Sequence, residues 1–370
     1  MKIRSKNIFS NITNIPFFLR AAHYPSLDGL RGISIIFVVV SHLNGFRNFL
    51  IFNGGLGVDI FFVISGFLIT SLLLKEKIKT KSISLKRFYI RRVLRIFPVA
   101  YLYLLTLIVL NFFFKLNISA VNLLAAFFYV MNFSYFIKNY HSLLTQHFWS
   151  LSVEEQFYLL FPIILKKNLK MFIVLVLFII FTLPLLIIIQ SVSFFANSTS
   201  LYAVTHYFIK FQGIAAGCLF SVLAFKNYFA SPFHRKYKIW TNSATIVLLC
   251  ILNYDENYGV KIVFVNLGIT ILIGYFIVTN IMESKDYIFK FLNSKILSRM
   301  GVLSYSIYIW QQLFTLSHNN IPSFVTSFPV NIILLLVVAA CSYYLYEIKF
   351  LKLKERFNSK AKQAALAAKE

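Results

Sequence analysis

In the segment Arg31-Gly-Ile-Ser-Ile-Ile-Phe-Val-Val-Val-Ser-His42, a guanidinium and an imidazole are separated by almost purely apolar residues. On a helix, eleven positions return to within about 20° of the same face after three turns, with a rise of roughly 16 Å. Ionisable groups at membrane depth are costly and by default mark a functional site. Two on one stripe suit a ligand with an anionic end and a reactive end. Asp59, in Gly54-Gly-Leu-Gly-Val-Asp59-Ile-Phe-Phe-Val-Ile-Ser65-Gly66-Phe67, opens the next apolar run at a depth comparable to that of His42. A carboxylate beside an imidazole orients one ring nitrogen and makes the other a better proton acceptor. A purely structural hydrogen-bonded pair is the plainer alternative.

Three further constellations carry possible chemistry. Arg92 and Arg95, in Lys86-Arg-Phe-Tyr-Ile-Arg-Arg92-Val-Leu-Arg95-Ile-Phe-Pro98, share a helix face at i,i+3. Guanidinium forks match phosphate oxygens, although basic loops also serve as topology signals and lipid contacts. Glu154 and Glu155, in His147-Phe-Trp149-Ser150-Leu-Ser-Val-Glu154-Glu155-Gln-Phe-Tyr158, lie inside an apolar run and project about 100° apart. Trp149 is either an interfacial anchor or part of an acceptor surface. Tyr305, Tyr308 and Gln312 form a polar aromatic stripe, with Gln311 one position off it. Such a stripe suits a sugar surface, and an interhelical packing network accounts for it equally well.

These residues need a scaffold of membrane spans. The chain is 59% hydrophobic and 13% charged, with a mean hydropathy of +0.74. Apolar runs near the length of a bilayer crossing fall at 30–47, 55–74, 93–114, 148–165, 171–190, 204–225, 239–253, 261–281, 302–318 and 330–347. The net charge of +25 does not indicate nucleic acid, because the Lys and Arg cluster in alternate loops, as the positive-inside rule requires. That bias holds if 119–137 does not cross and lies re-entrant in the outer half. The expectation is an all-α polytopic bundle of about ten spans with both termini cytoplasmic. Residues 1–23 form a cytoplasmic or interfacial segment, 24–355 the transmembrane domain, and 356–370 a disordered or appended tail. Cys218, Cys250 and Cys341 fall in apolar runs and offer neither a disulfide framework nor a metal spacing.

Taken together, Leu27-Asp-Gly-Leu-Arg31-Gly, the Arg/His spacing, Gly-Val-Asp59-Ile-Phe-Phe-Val-Ile-Ser-Gly-Phe, Arg-Arg92-x-x-Arg95-Ile-x-Pro, Phe-Trp149-Ser-Leu-Ser-Val-Glu154-Glu155-Gln-Phe-Tyr and Ser-Tyr305-Ser-Ile-Tyr308-Ile-Trp, with Glu347 as a closing glutamate, resemble the acyltransferase-3 family of membrane acyltransferases. The resemblance implies an enzyme of the bacterial cytoplasmic (inner) membrane. It would pass an acetyl group from cytosolic acetyl-CoA to a hydroxyl of an extracytoplasmic glycan such as lipopolysaccharide O-antigen. His42, Asp59 and Glu154 would be catalytic, and Arg31, Arg92 and Arg95 would face the donor. Trp149, Glu155, Tyr305, Tyr308 and Gln311 would meet the acceptor, with membrane lipids around them and no metal. Gln311 departs from the family, many of whose members carry histidine there. A transporter or flippase for an anionic or lipid-linked sugar would use the same intramembrane charges, and a non-catalytic membrane-biogenesis partner would not need the Arg/His stripe.

Overall fold

The computed structural model describes residues 8–43, 53–136, 143–192, 210–231, 236–254, 260–316 and 320–354. Among these the fold is all-α. The helices are α1 (Pro25–His42), α2 (Gly54–Thr80), α3 (Leu85–Phe114), α4 (Ala120–Phe127), α5 (Leu143–Gln146), α6 (Phe148–Lys167) and α7 (Leu169–Val192). They continue with α8 (Phe211–Phe225), α9 (Lys238–Tyr254), α10 (Val260–Ile281), α11 (Tyr287–Leu292), α12 (Lys295–Thr315), α13 (Ser323–Thr326) and α14 (Val330–Cys341). Among the described residues, four stretches are long and apolar enough to cross a bilayer: Gly54–Thr80, Leu85–Phe114, Phe264–Ile281 and Val330–Lys354. Shorter apolar helices cover Leu169–Thr182, Phe211–Phe225 and Lys238–Asn253. The expected tail at 356–370, residues 1–7, the last residues of the run 30–47 and the first of the run 204–225 lie outside the described residues.

Local sequence sets the helix ends. The Asn53 side chain accepts from the Gly55 amide at the start of α2, and Ser119 accepts from the Asn122 amide at the start of α4; both satisfy amides that a helix leaves without partners. Lys81 and Lys115 stop α2 and α3 in the left-handed region. At eight residues, α4 is too short to cross ~30 Å of hydrocarbon, and a 3₁₀ segment, Met131–Phe136, follows it. Helix α3 starts eight residues before the apolar run expected at 93, so Arg92 and Arg95 sit within it, just ahead of the internal Pro98. After α14 the chain widens into a π-helical turn, Ser342–Glu347, that buries Ser342 and Glu347.

The chain divides into two compact units. The first comprises 1–41, 45–83 and 150–302. Within it α2 packs closely on α8, whose Gly213-Ile-Ala-Ala-Gly217 places two glycines one turn apart. A Cβ on Gly217 would lie 2.8 Å from the Phe67 amide nitrogen and 2.9 Å from the Val63 carbonyl carbon. Small residues at this spacing let helix backbones meet in lipid, where hydrophobic burial gives little drive for association. A hydrogen bond between the Ser71 and Ser221 hydroxyls, 2.9 Å, sits in the same interface. Helices α9 and α10 are joined by buried amides: Thr279 Oγ1 donates to Asn242 Oδ1 at 2.8 Å, and Asn242 Nδ2 donates to Asn280 Oδ1 at 3.2 Å.

Beyond α10, Asp286 caps α11 by accepting from the Phe289 amide at 2.7 Å, and it pairs with the Lys238 ammonium at 3.3 Å. Burial alone would raise this carboxyl, but the Ser284 hydroxyl, the Phe289 amide and Lys238 together hold it below the ordinary aspartate range. A depressed carboxyl contributes stability that is present above its unfolded value and lost as pH falls through the folded one. Thermal melting of the detergent-solubilised protein should therefore weaken as pH drops below about 4, and Asp286→Asn should remove part of that dependence. An unchanged acid profile in the variant would count against the cap.

The second unit comprises 42–44, 84–149 and 303–370. Here α3 packs on α4 and on the π-helical turn. Tyr103, fully buried on α3, donates to the Leu144 carbonyl at 2.7 Å.

Candidate functional site

In the first unit, the N-terminal end of α1 carries an ionic cluster. Asp28, 7% exposed, accepts from Arg31 at 3.3 Å and is also bonded to His23. Arg31 therefore has a carboxylate partner one turn before it on its own helix. Asp28 stands in the Leu27-Asp-Gly-Leu-Arg31 block, yet its spacing alone does not mark it as that partner. Asp59 on α2 feels the positive charge of Lys210, at the start of α8. That neighbour comes from a distant loop and is invisible in sequence spacing. Glu154 on α6 accepts from the Ser65 hydroxyl of α2 at 2.8 Å. This bond ties together two motif blocks 89 positions apart. Glu155, the following residue, is half-buried.

In the second unit, His42 ends α1, and its charge acts on the buried His147. His147 Nδ1 lies 2.7 Å from Gln312 Oε1. An amide oxygen only accepts, so Nδ1 carries a proton in this contact. The Tyr308 hydroxyl donates to the His147 carbonyl at 3.1 Å, and the Tyr103 and Tyr308 rings stand edge-on to the imidazole at 5.3 and 5.7 Å. Gln311 is wholly buried, and neither of its amide atoms finds a hydrogen-bond partner among the described residues; the same holds for Trp310 Nε1. Buried polar atoms are nearly always bonded, so such orphans call for an occupant or a role. The α12 stripe thus separates into parts. Tyr308 and Gln312 hold His147, Gln311 has bonding capacity in hand, and Tyr305 donates to the Ile96 carbonyl at 2.6 Å. That bond commits the Tyr305 hydroxyl to the backbone of α3.

The arginines of α3 also have protein neighbours. Arg92 lies over the Phe88 ring at 5.9 Å. Arg95 acts electrostatically on Glu347, which is 4% exposed and accepts from Ser306 at 2.6 Å. Trp149, just before α6 enters the first unit, is half-buried. Spacing along the sequence did not single out His147 as a site residue. Its position at the head of the Phe-Trp-Ser-Leu-Ser block was the available signal.

Each charge cluster has a chemical capacity of its own. The His42–His147–Gln312 group offers two imidazoles, side chains that can accept and release a proton. The orphan amide of Gln311 and the Trp310 N–H can receive or donate hydrogen bonds to a carbonyl or hydroxyl.

The model of the Acyltransferase domain family matches residues 24–347. A protein of Staphylococcus aureus (strain COL), provisionally named an O-acetyltransferase, is 33% identical over 90% of this chain and 58% of its own length. The peptidoglycan O-acetyltransferase OatA of Listeria monocytogenes is 32% identical over 78% of this chain and 49% of its own. O-acetyltransferase OatA of Staphylococcus aureus (strain NCTC 8325) is 31% identical over 88% and 57%. The chain thus spans about half the length of these relatives. No solved structure matches it.

Proposed function

The chain belongs to the acyltransferase-3 family, and from that premise we propose that it transfers an acetyl group from acetyl-CoA to a hydroxyl of an extracytoplasmic glycan. The observation that carries this reading is the paired imidazoles of His42 and His147, the latter held by Gln312, with the unsatisfied Gln311 amide on the same helix. In this reading His42 takes the proton of the acceptor hydroxyl as its oxygen attacks the thioester carbon. The C–S bond breaks, and the imidazolium returns the proton to the departing coenzyme A thiolate. Attack by His42 itself, through an acetyl-imidazole, is the covalent variant of the same step. Asp59 and Glu154 support the base, and Trp149, Glu155, Tyr308 and Gln311 meet the acceptor. Tyr305 contributes its ring, its hydroxyl being bonded to the backbone.

The donor stays on the cytosolic side. Its phosphates meet Arg31, Arg92 and Arg95, while the uncharged pantetheine arm follows α1 for roughly 16 Å toward His42. Ten spans with both termini cytoplasmic, in the cytoplasmic membrane of a bacterium, provide that sidedness. The acceptor is a surface polysaccharide. Lipopolysaccharide O-antigen is one candidate, and peptidoglycan is the other because the name of the Listeria relative specifies it.

Release of coenzyme A by the purified protein, measured with each glycan as acceptor, tests the reading. Turnover that depends on acceptor is expected, and its absence with every glycan offered would sink it. On the donor side, Arg92→Ala should weaken acetyl-CoA binding in calorimetry by about tenfold, the loss of a charge-assisted bond. An unchanged isotherm would return Arg92 to the role of a topology signal.

A further inference from the structure

Two of the three arginines read as donor-facing already have a carboxylate of this chain beside them: Asp28 for Arg31 and Glu347 for Arg95. One hollow in the first unit has the opposite character. It measures about 400 Å³ and is lined by Thr13, Asn14, Arg20, Lys75, Lys79 and two isoleucines, with no acidic side chain in its wall. Lys75 donates to the Ala21 carbonyl at 2.9 Å and to the Tyr24 hydroxyl at 2.9 Å, and it stands over the Tyr24 ring at 5.0 Å. All three of these partners are neutral, so its charge is solvated but not balanced. Lys79, one turn on, faces it with the same sign and acts on it repulsively. Like charges at i,i+4 destabilise a helix. Arg20 closes the hollow from the N-terminal segment, its Nε 3.5 Å from the Ile15 carbonyl. Three cations around one concavity without an acid make a receptor for a multiply charged anion.

We propose that this hollow binds the 3′-phosphate of the coenzyme A donor, a reading that rests on the donor assignment above. A phosphate monoester carries close to two negative charges at neutral pH and three strong acceptor oxygens. A guanidinium fork and two ammoniums match that charge and those acceptors. A phospholipid diester, with one charge, shares the phosphate chemistry but matches three cations less well. Thr13 and Asn14 add neutral donors and acceptors for the neighbouring ribose. The hollow lies at the end of α2 that runs into the basic segment 75–95, the side that the charge bias assigns to the cytosol.

Calorimetry in neutral maltoside micelles, comparing coenzyme A with dephospho-coenzyme A, tests the assignment without any turnover. The wild type should prefer coenzyme A by about tenfold or more, the effect of one or two charge-assisted bonds. In Arg20→Gln/Lys79→Gln the preference should fall close to one, while affinity for dephospho-coenzyme A stays at the wild-type value. Both side chains are exposed, so the variant should keep its melting temperature. Lys75→Gln provides a second, single-site reading. Adenosine 3′,5′-bisphosphate should compete with coenzyme A in the wild type alone. Equal binding of the two coenzymes by the wild type, or an undiminished preference in the variants, would overturn the inference while leaving the donor reading intact. Failure of the wild type to bind either coenzyme would overturn both. If phosphatidylglycerol, but not phosphatidylcholine, abolished the preference, the cations would belong to a lipid headgroup and the assignment of this hollow to the donor would fall.

Discussion

His42→Ala should lower acetyl transfer by at least about a hundredfold, the usual scale of general acid–base assistance, while leaving protein level and membrane insertion unchanged. The residue ends α1 and is only half-buried, so truncation removes little packing. Its charge acts on His147, and that coupling supplies an internal control. If the second imidazole could replace the first, His147→Ala alone would be nearly silent and the double variant far worse than either single. If His42 is the sole base, the single variant should match the double, because residues that act as one unit are not additive. Retention by His42→Ala of more than about a tenth of wild-type turnover would remove it from the chemistry altogether.

The second large effect concerns stability. Gly217→Ala adds one methyl group, yet that carbon would lie 2.8 Å from the Phe67 amide nitrogen and 2.9 Å from the Val63 carbonyl carbon. Both neighbours are backbone atoms of α2 and cannot rotate away. Overpacking ordinarily costs about 1–3 kcal/mol, and more where backbone must move, so a melting temperature several degrees lower and poor accumulation are expected. Gly213→Ala is the matched control. Its Cβ would lie 3.1 Å from the Phe62 Cβ, a side-chain atom with some room to give. Equal melting temperatures for the two variants would mean that α2 and α8 are not held by this close approach.

What the sequence made legible was what lies along one helix. Arg31 and His42 do share α1, as their spacing requires, and Arg92 and Arg95 share α3. The all-helical class followed from long apolar runs, and the six ordered motif blocks pointed to the family that residues 24–347 match. Partners across helices were not legible, since they depend on which faces meet after packing. Ser65 with Glu154, Lys210 with Asp59, and Arg95 with Glu347 are separated by tens to hundreds of positions. The His147 ring is held by Gln312, 165 positions away. For the same reason, the spacing of the Tyr305–Gln312 stripe did not show that the Tyr305 hydroxyl is bonded to the Ile96 carbonyl. Nothing in the spacing of an aromatic stripe says which of its members are already engaged.

The π-helical turn at Ser342–Glu347 has a bearing on how changes of chain length would act. A wide turn holds one residue more than an α-helical turn, so it resets the rotational phase of everything beyond it by about 100°. The carboxylate that accepts from Ser306 stands on the far side of that reset. Deleting one residue between Ser342 and Tyr346 would let the segment wind as an uninterrupted α-helix with Glu347 kept in phase with Ser306, because the lost residue and the lost reset cancel. A single-residue deletion in α14, which leaves the wide turn in place, would instead rotate Glu347 by about 100° and act like a charge removal, although every side chain beyond it is unchanged.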